Sequence, residues 1–406
     1  MTERDRRQQE IIEKWEENGG VGTVMACTGF GKTRCALMEI QKMSDHDPSM
    51  GALVVVPTIY LKEQWEERLE ERDLLQYCVV EVVNTVVKET FANVDLLILD
   101  EVHRYNSPVF SQVFDRVDYK YIMGLTATLP EGEKYDLTRR RCPIFEKVPL
   151  REAMQNGWVA PFLVYNLGID LSYAERKRYE DLNESYHQHF AAFNHNFELA
   201  MQCLQEDSKA RSYARQQNWD FRRVKMHAAQ FIRNVQKRKK LLYNSKTKIK
   251  AAKALIQKFS DRKIISFSQS IAAADKLQRY LPDRVVTYHS DMTGTEQDEA
   301  MESFRDGSNG YHVLSTSKAL DQGADLPQID MALVVSGTSK PLQSIQRLGR
   351  TIRKGDGKRA VIVEIYARDT QDQKWLQKRQ RKTPRETIYH VQSINDITIN
   401  QPAVRT

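Results

Sequence analysis

The stretch that most restricts what this chain can become runs from Val21 to Ile40. A short apolar run (Val21, Thr23, Val24, Met25) suits a buried strand. Ala26-Cys27-Thr28-Gly29-Phe30-Gly31-Lys32-Thr33 follows, and then Cys35, Ala36, Leu37, Met38 and Ile40 recur with helical spacing. Strand, glycine-rich turn and helix in that order are the setting of a phosphate-binding loop. Gly29 and Gly31 admit the positive-φ turns that aim backbone N–H groups inward, and the helix N-terminus adds partial positive charge. Lys32 can reach the β- and γ-phosphates of a nucleotide, and the Thr33 hydroxyl suits Mg²⁺. Thr28, Gly29, Gly31, Lys32 and Thr33 are therefore the candidate nucleotide-binding residues. One departure is visible: the usual pattern opens on glycine, where this chain has Ala26. Gly-Lys-Thr alone also occurs by chance in turns, so the remaining sequence has to decide.

The deciding partner is Leu96-Leu97-Ile98-Leu99-Asp100-Glu101-Val102-His103. Four apolar residues followed by two acids predict a buried strand that delivers both carboxylates to one edge of a sheet. Asp100 is placed to hold Mg²⁺, directly or through water, and Glu101 to orient and deprotonate the water that attacks a γ-phosphate. The Leu/Val run ending at Pro57-Thr58 predicts a central parallel strand with Thr58 at its carboxyl end, where ligands bind in open α/β folds. Val79–Val83 and Tyr121–Thr128 read as further strands. Residues 4–18 form an amphipathic helix on which Gln8, by its spacing to Trp15, is the better candidate to read an adenine edge. A glutamine merely solvated on a charged helix is the alternative.

The set Ala-x-x-Gly-x-Gly-Lys-Thr, Pro57-Thr58, Asp100-Glu101-Val102-His103 and Thr126-Ala127-Thr128 resembles the first motor domain of a superfamily 2 helicase. "VVVPT…L…QW" and "GLTAT" look most like the branch holding XPB-like helicases, phage branch-migration helicases and restriction-enzyme motors. The resemblance implies that Thr126 and Thr128 couple nucleotide state to domain closure. It also implies that His103 links the two carboxylates to the same contacts, and that Thr58 lies at the nucleic-acid side.

Beyond residue 260, apolar runs at 263–268, 285–290, 311–316, 331–335 and 361–366 predict a second α/β unit. Within it, Gln346-Arg347-Leu348-Gly349-Arg350-Thr351-Ile352-Arg353 places Arg350 and Arg353 three residues apart, on one helical face. Two guanidiniums suit the charge that develops on a transferring γ-phosphoryl group. Gln-x-x-Gly-Arg-x-x-Arg resembles the arginine-finger motif of the same superfamily, which also implies coupling through Gln346. By the same resemblance Gly323 and Asp325 lie near the nucleotide and Thr316 near nucleic-acid phosphate.

Between the two units, residues 172–258 contain almost no glycine or proline and are densely charged. Tyr179, Tyr186, Phe190, Phe193 and Phe197 supply an apolar stripe. Arg222, Arg223, Lys237 and Lys239 are the candidate nucleic-acid contacts in a basic run that extends to Lys246. A solvated helical hairpin would look the same, but a helical arm in this position resembles the thumb-like insertion of XPB-like helicases and could grip a phosphate backbone.

The expected fold is α/β: two RecA-like parallel-sheet domains at 1–150 and 246–370, a linker and helical thumb-like insertion at 151–245, and a polar tail at 371–406 that packs as a peripheral helix. Net charge of +7 over 406 residues favours a polyanionic partner. The five cysteines (27, 35, 78, 142, 203) form no CxxC pair and suggest neither a disulfide framework nor a zinc site. Neither a signal peptide nor a membrane-length apolar run is visible, so a cytoplasmic protein without a membrane role is expected. No substrate-recognition domain is expected ahead of the motor, and no nuclease, winged-helix or zinc module.

The expected activity is that of a DNA helicase or branch-migrating translocase using ATP and Mg²⁺. Its partner is single-stranded, forked or branched DNA, with replication, recombination or repair proteins as possible companions. The alternatives are a non-unwinding motor serving a nuclease or remodelling partner and, more weakly, an RNA helicase.

Overall fold

The computed structural model describes residues 1–129, 132, 135–159, 161–307, 310–317, 329–338, 360–381 and 383–399. Gly323, Asp325, Gln346, Arg350 and Arg353 lie outside the described residues.

The first unit runs α1 (Glu3–Glu17), β1 (Val21–Ala26), α2 (Lys32–His46), β2 (Ala52–Val56), α3 (Ile59–Glu70), β3 (Cys78–Val82), α4 (Val83–Val86), β4 (Phe91–Asp100), α5 (Val113–Arg116), β5 (Val117–Thr126), α6 (Asp136–Arg141) and β6 (Ile144–Val148). Its six strands are all parallel and ordered β3-β2-β4-β5-β1-β6. The apolar runs read from sequence are these strands. β2 is buried along its whole length, as a central strand covered by helices on both faces must be. One face packs Ile11, Trp15, Ile40 and Trp65 over the sheet, and the other packs Val86, Tyr105 and Phe114. Crossover connections place the carboxyl ends of β1, β2, β4 and β5 at one edge, with Ala26, Val56, Asp100 and Thr126 as their last residues.

After α7 (Leu150–Gln155) the chain turns at Gly157, φ +66°, and enters β7 (Phe162–Ile169). Four helices follow: α8 (Tyr173–Ala191), α9 (Phe197–Gln205), α10 (Asp207–Gln217) and α11 (Phe221–Tyr243). Ser172 opens α8 with a capping box to Glu175. Phe190 stacks on Phe231 of α11, centroids 4.6 Å apart, and Tyr186 lies 5.3 Å from the same ring. The predicted aromatic stripe is thus mostly the seam of a helical bundle. Phe197 is an exception at 53% exposed, and Tyr179 joins a small cluster with Leu171, Leu242 and Ala367 at the bundle's base. Arg238, inside the basic run, is buried with its guanidinium 4.1 Å from the Tyr186 ring.

The second unit adds α12 (Lys246–Lys258), β8 (Ile264–Ser268), α13 (Ile271–Tyr280), β9 (Val285–His289), α14 (Gly294–Asp306), β10 (Val313–Ser317), β11 (Met331–Val334), β12 (Ala360–Ala367), α15 (Gln371–Arg379) and β13 (Ile388–Val391). All seven strands of its sheet are parallel, in the order β13-β7-β12-β11-β8-β10-β9. The structure differs here from the boundaries expected above. β7 lies inside the 151–245 stretch expected to be linker and insertion, yet it pairs along eight residues with β12. The tail beyond 371, expected to be only a peripheral helix, also supplies β13, which flanks β7 on its other side. β7 is buried at six consecutive positions, so it needs a partner on both edges and cover on both faces.

Candidate nucleotide site

The loop between β1 and α2 is shaped as its glycines require. Gly29 and Gly31 have φ of +91° and +102°, in the left-handed region where a Cβ is costly. Gly31 caps α2 without a side-chain acceptor, whereas α3, α8 and α14 each begin with a hydroxyl cap from Thr58, Ser172 and Thr293. A helix N-terminus left without a side-chain oxygen suits an incoming anion. Lys32 is 9% exposed and donates to the Ala26 carbonyl at 3.1 Å, folded back over the loop it is expected to serve. Thr28 and Thr33 are half-buried at the same edge.

α1 grips this loop from behind. Gln8 is fully buried, and its amide donates to the Phe30 carbonyl at 2.8 Å while its Oε1 has no hydrogen-bond partner. Buried amide oxygens are rarely left so, and an acceptor waiting beside a phosphate loop fits the adenine N6 donor that sequence reading assigned to it. Arg4, one turn earlier on the same face, donates to the Phe30 and Gly29 carbonyls at 2.8 and 2.6 Å. Sequence reading missed Arg4; its only signal was the i, i+4 spacing to Gln8.

β4 carries Asp100 to the same edge. Its Oδ2 accepts from the Trp65 indole at 3.0 Å and its Oδ1 from the Glu101 amide at 2.9 Å. Burial pushes the Asp100 carboxyl above its ordinary range, Glu101 adds to the rise, and Trp65 and Lys32 oppose it. A carboxylate destabilised by burial beside a lysine and a second acid fits a divalent cation, which would restore its charged form. Among the described residues no group of three or more His, Cys, Asp or Glu could hold a metal. The donor set that fits Mg²⁺ is therefore small: Asp100 and the Thr33 hydroxyl, with substrate phosphates completing it. Trp65 was read from sequence only as part of the family-like stretch "VVVPT…L…QW", not as the partner of this acid.

Glu101 departs from the strand in a left-handed conformation, φ +52°, which is uncommon for a residue with a Cβ. Its Oε2 lies 3.2 Å from His103 Nδ1, which lies 2.9 Å from Thr126 Oγ1. The Thr126 hydroxyl donates its one proton to the Thr128 carbonyl at 2.9 Å and accepts from the Thr128 amide. Oε2 of Glu101 and Oγ1 of Thr126 thus flank the same imidazole nitrogen. Glu101 and His103 meet as an acid–imidazole contact, and hydrogen bonds continue from His103 through Thr126 to Thr128, between β4 and β5.

Other predicted residues fall elsewhere. Thr58 spends its side-chain oxygen on the Leu61 amide as the α3 cap. Thr316 is fully buried in β10, a strand covered along its whole length, with its Oγ1 unpartnered. Arg222, Arg223, Lys237 and Lys239 are exposed on α11, with Arg223 stacked 4.4 Å from the Trp219 ring. No described helix is long and apolar enough to cross a membrane.

Comparison with known proteins places these features in company. Residues 4–88 and 79–131 match the family described as type III restriction enzyme, res subunit, and residues 247–355 match the helicase conserved C-terminal domain. The chain is similar to a protein named DNA 3'-5' translocase XPB2 from Sulfurisphaera tokodaii, 30% identical over 92% of this chain and 84% of that one. It is 24% identical to a protein named DNA 3'-5' helicase XPB from Mycobacterium tuberculosis, covering 89% of this chain and 60% of that one. Among solved structures, the Hef helicase domain of Pyrococcus furiosus matches with a TM-score of 0.59 at 17% identity, over 91% of this chain and 96% of that chain.

Proposed function

The chain belongs to the XPB-like branch of the superfamily 2 helicases, and from that premise we propose that it hydrolyses ATP to move along or unwind DNA. The observation that carries this reading is the meeting, at one sheet edge, of the phosphate loop, Asp100, and the Glu101–His103–Thr126–Thr128 chain.

In this reading Lys32 swings from the Ala26 carbonyl to the β- and γ-phosphates, and Gln8 offers its free oxygen to the adenine amine. Mg²⁺, held by Thr33 and Asp100, would neutralise charge on the phosphate oxygens. Glu101 positions a water and takes its proton as the water oxygen bonds to the γ-phosphorus. The bond to the β-phosphate oxygen breaks, and ADP leaves with phosphate. Arg350 and Arg353 are assigned to the charge on the transferring group, Gln346 to coupling, and Gly323 and Asp325 to the nucleotide. Release of Glu101 from the His103 bridge would pass the change to Thr126 and Thr128 and so to domain closure. The exposed cations of α11 are assigned to the DNA backbone, with little dependence on sequence. We read the polarity as 3'-5', as in the names of the two relatives, and the setting as intracellular, alongside replication, recombination or repair proteins.

The test is ATPase rate with single-stranded DNA, forked DNA, four-way junctions and RNA, paired with strand displacement on 3'- and 5'-tailed duplexes. Stimulation by DNA with displacement from the 3' tail supports a helicase. Stimulation without displacement supports the second reading, a motor that serves a separate nuclease, which the match of residues 4–131 to a restriction-enzyme subunit favours. Stimulation by RNA alone refutes both.

A further inference from the structure

A cavity of about 530 Å³ opens at the opposite edge of the first sheet from the nucleotide loop. Gly20, which precedes β1, and Met50, which precedes β2, mark its position at the amino ends of the strands. β1 spans six residues, so loop and cavity are separated by about 20 Å of strand. The same helix serves both: α2 begins at Lys32 and carries Glu39 and Lys42 into the cavity wall.

Glu39 is the anomaly. It is 2% exposed, lines the cavity, and has a buried Oε2 with no hydrogen-bond partner. A carboxyl withdrawn from water without a donor is costly, and such groups usually mark a missing ligand or a site of altered titration. We propose that this cavity binds a small organic cation, an alkylammonium or guanidinium group, whose N–H donors pair with the Glu39 carboxylate.

Three features favour a cation. First, the lining charges lean negative: Glu16, Glu39, Asp47 and Asp95 face Lys42 and Lys120. Second, the lysines are engaged. Lys42 is paired with Glu16 at 2.5 Å, and Lys120 lies over the Tyr121 ring at 5.0 Å. Third, Trp15 and Tyr121, edge to face at 6.1 Å, give the wall two aromatic surfaces that suit a cation's alkyl or planar body. The Tyr121 ring is fixed, because it packs where a Cβ on Gly20 would stand.

Binding is linked to protons. Burial, with the nearby Glu16 charge, pushes the Glu39 carboxyl from 4.5 to about 7. The cation selects the ionised form, so affinity rises with pH up to that value and levels off above it. Of the charged groups, Glu16 on α1 and Lys42 on α2 act on Glu39, and His46, Asp47, Asp95 on β4 and Lys120 on β5 line the same cavity.

Isothermal titration of the full chain, without DNA or nucleotide, tests the proposal with 1,4-diaminobutane and methylguanidinium as probes. 1,4-Butanediol is the uncharged control. Expected are saturable binding of one or both cations and none of the diol. Affinity should gain up to about tenfold per unit from about pH 6 to about pH 7 and stay flat beyond. Glu39→Gln should lower affinity by tenfold or more, while His46→Gln, the control for the cavity's imidazole, should leave the pH profile in place. No saturable binding up to on the order of 10 mM, equal binding of the diol, a flat profile, or unchanged affinity in Glu39→Gln would each overturn it. If Glu39→Gln does not fold, the diol control and the wild-type pH profile decide.

Discussion

Two sets of buried polar groups, one on each sheet, are completed in opposite ways. In the second, Asn166 of β7 and Gln380 exchange two side-chain hydrogen bonds at 2.9 and 2.8 Å, and Gln380 also donates to Glu364 of β12 at 2.8 Å. Glu364 is paired with Arg379, whose Nη1 donates to the Thr338 carbonyl at 3.1 Å. In the first sheet, Gln8 keeps an unpartnered oxygen and Asp100 is held by an indole and one backbone amide. A polar network closed on itself ties distant chain segments together. Groups left with capacity at the carboxyl edge of a sheet are those a ligand can complete.

The largest expected effects concern hydrolysis. Arg350→Ala or Arg353→Ala should slow turnover by about 10³–10⁵, the range of an arginine finger. Glu101→Gln should stop hydrolysis while ATP stays bound, whereas Lys32→Ala should lose both; steady-state ATPase and nucleotide-binding assays read the difference. Equal loss of ATP affinity in Lys32→Ala and Glu101→Gln would contradict the separate roles.

The closed network should answer with stability instead of turnover. Glu364→Ala leaves Arg379 buried without its carboxylate and should destabilise the second unit by about 3–5 kcal/mol, while ATP binding to the first unit persists. Chemical denaturation followed by far-UV circular dichroism measures it. A change below about 1 kcal/mol would mean that the network is not what holds β7, β12 and α15 together.

A third, smaller contrast is between buried and exposed cations on α11. Charge reversal of Arg222, Arg223, Lys237 and Lys239 should weaken DNA binding and reduce its log–log salt slope by roughly 0.7–0.9 per lost phosphate contact. DNA-independent ATPase should survive. Unchanged slope and affinity would leave these residues as solubilising charge.

The smallest effect concerns Glu39, the carboxyl that neither sheet satisfies. Its raised value means that the folded state binds the proton more tightly than the unfolded chain. The stability this contributes is complete below about pH 4.5 and is lost as pH rises through about 7. Glu39→Gln should therefore gain stability relative to wild type across that window, seen as melting temperatures that diverge with rising pH.

Phosphate chemistry made the first unit readable. It demands particular residue types at fixed spacing, so Gly29, Gly31, Lys32, Asp100 and Glu101 announce themselves, as does the His103–Thr126 pairing once the family resemblance is granted. Arg4 and Trp65 were not readable as site residues because their partners lie 26 and 35 positions away, where pattern carries no information about contact. β7 shows why the second unit's boundary was misplaced. Its apolar run was visible, but parallel pairing with β12 is set by the three-dimensional crossover and leaves no local mark. For Thr316 the strand was legible, but a strand buried at all five positions carries no alternation that would separate a ligand-facing side from a covered one.

The interposed position of β7 has a consequence for how the protein is made. The first sheet uses strands from one continuous stretch and can close once β6, ending at Val148, is synthesised. The second cannot. β7 emerges early but waits for β12, almost two hundred residues later, and for β13 beyond it. Meanwhile the four-helix bundle between them, built on local contacts, folds quickly. During translation a finished first unit and a finished helical bundle would flank an unpaired, largely apolar strand, the kind of segment that aggregates or recruits a chaperone. Truncation just before β13 should therefore harm yield far more than its four residues of pairing suggest.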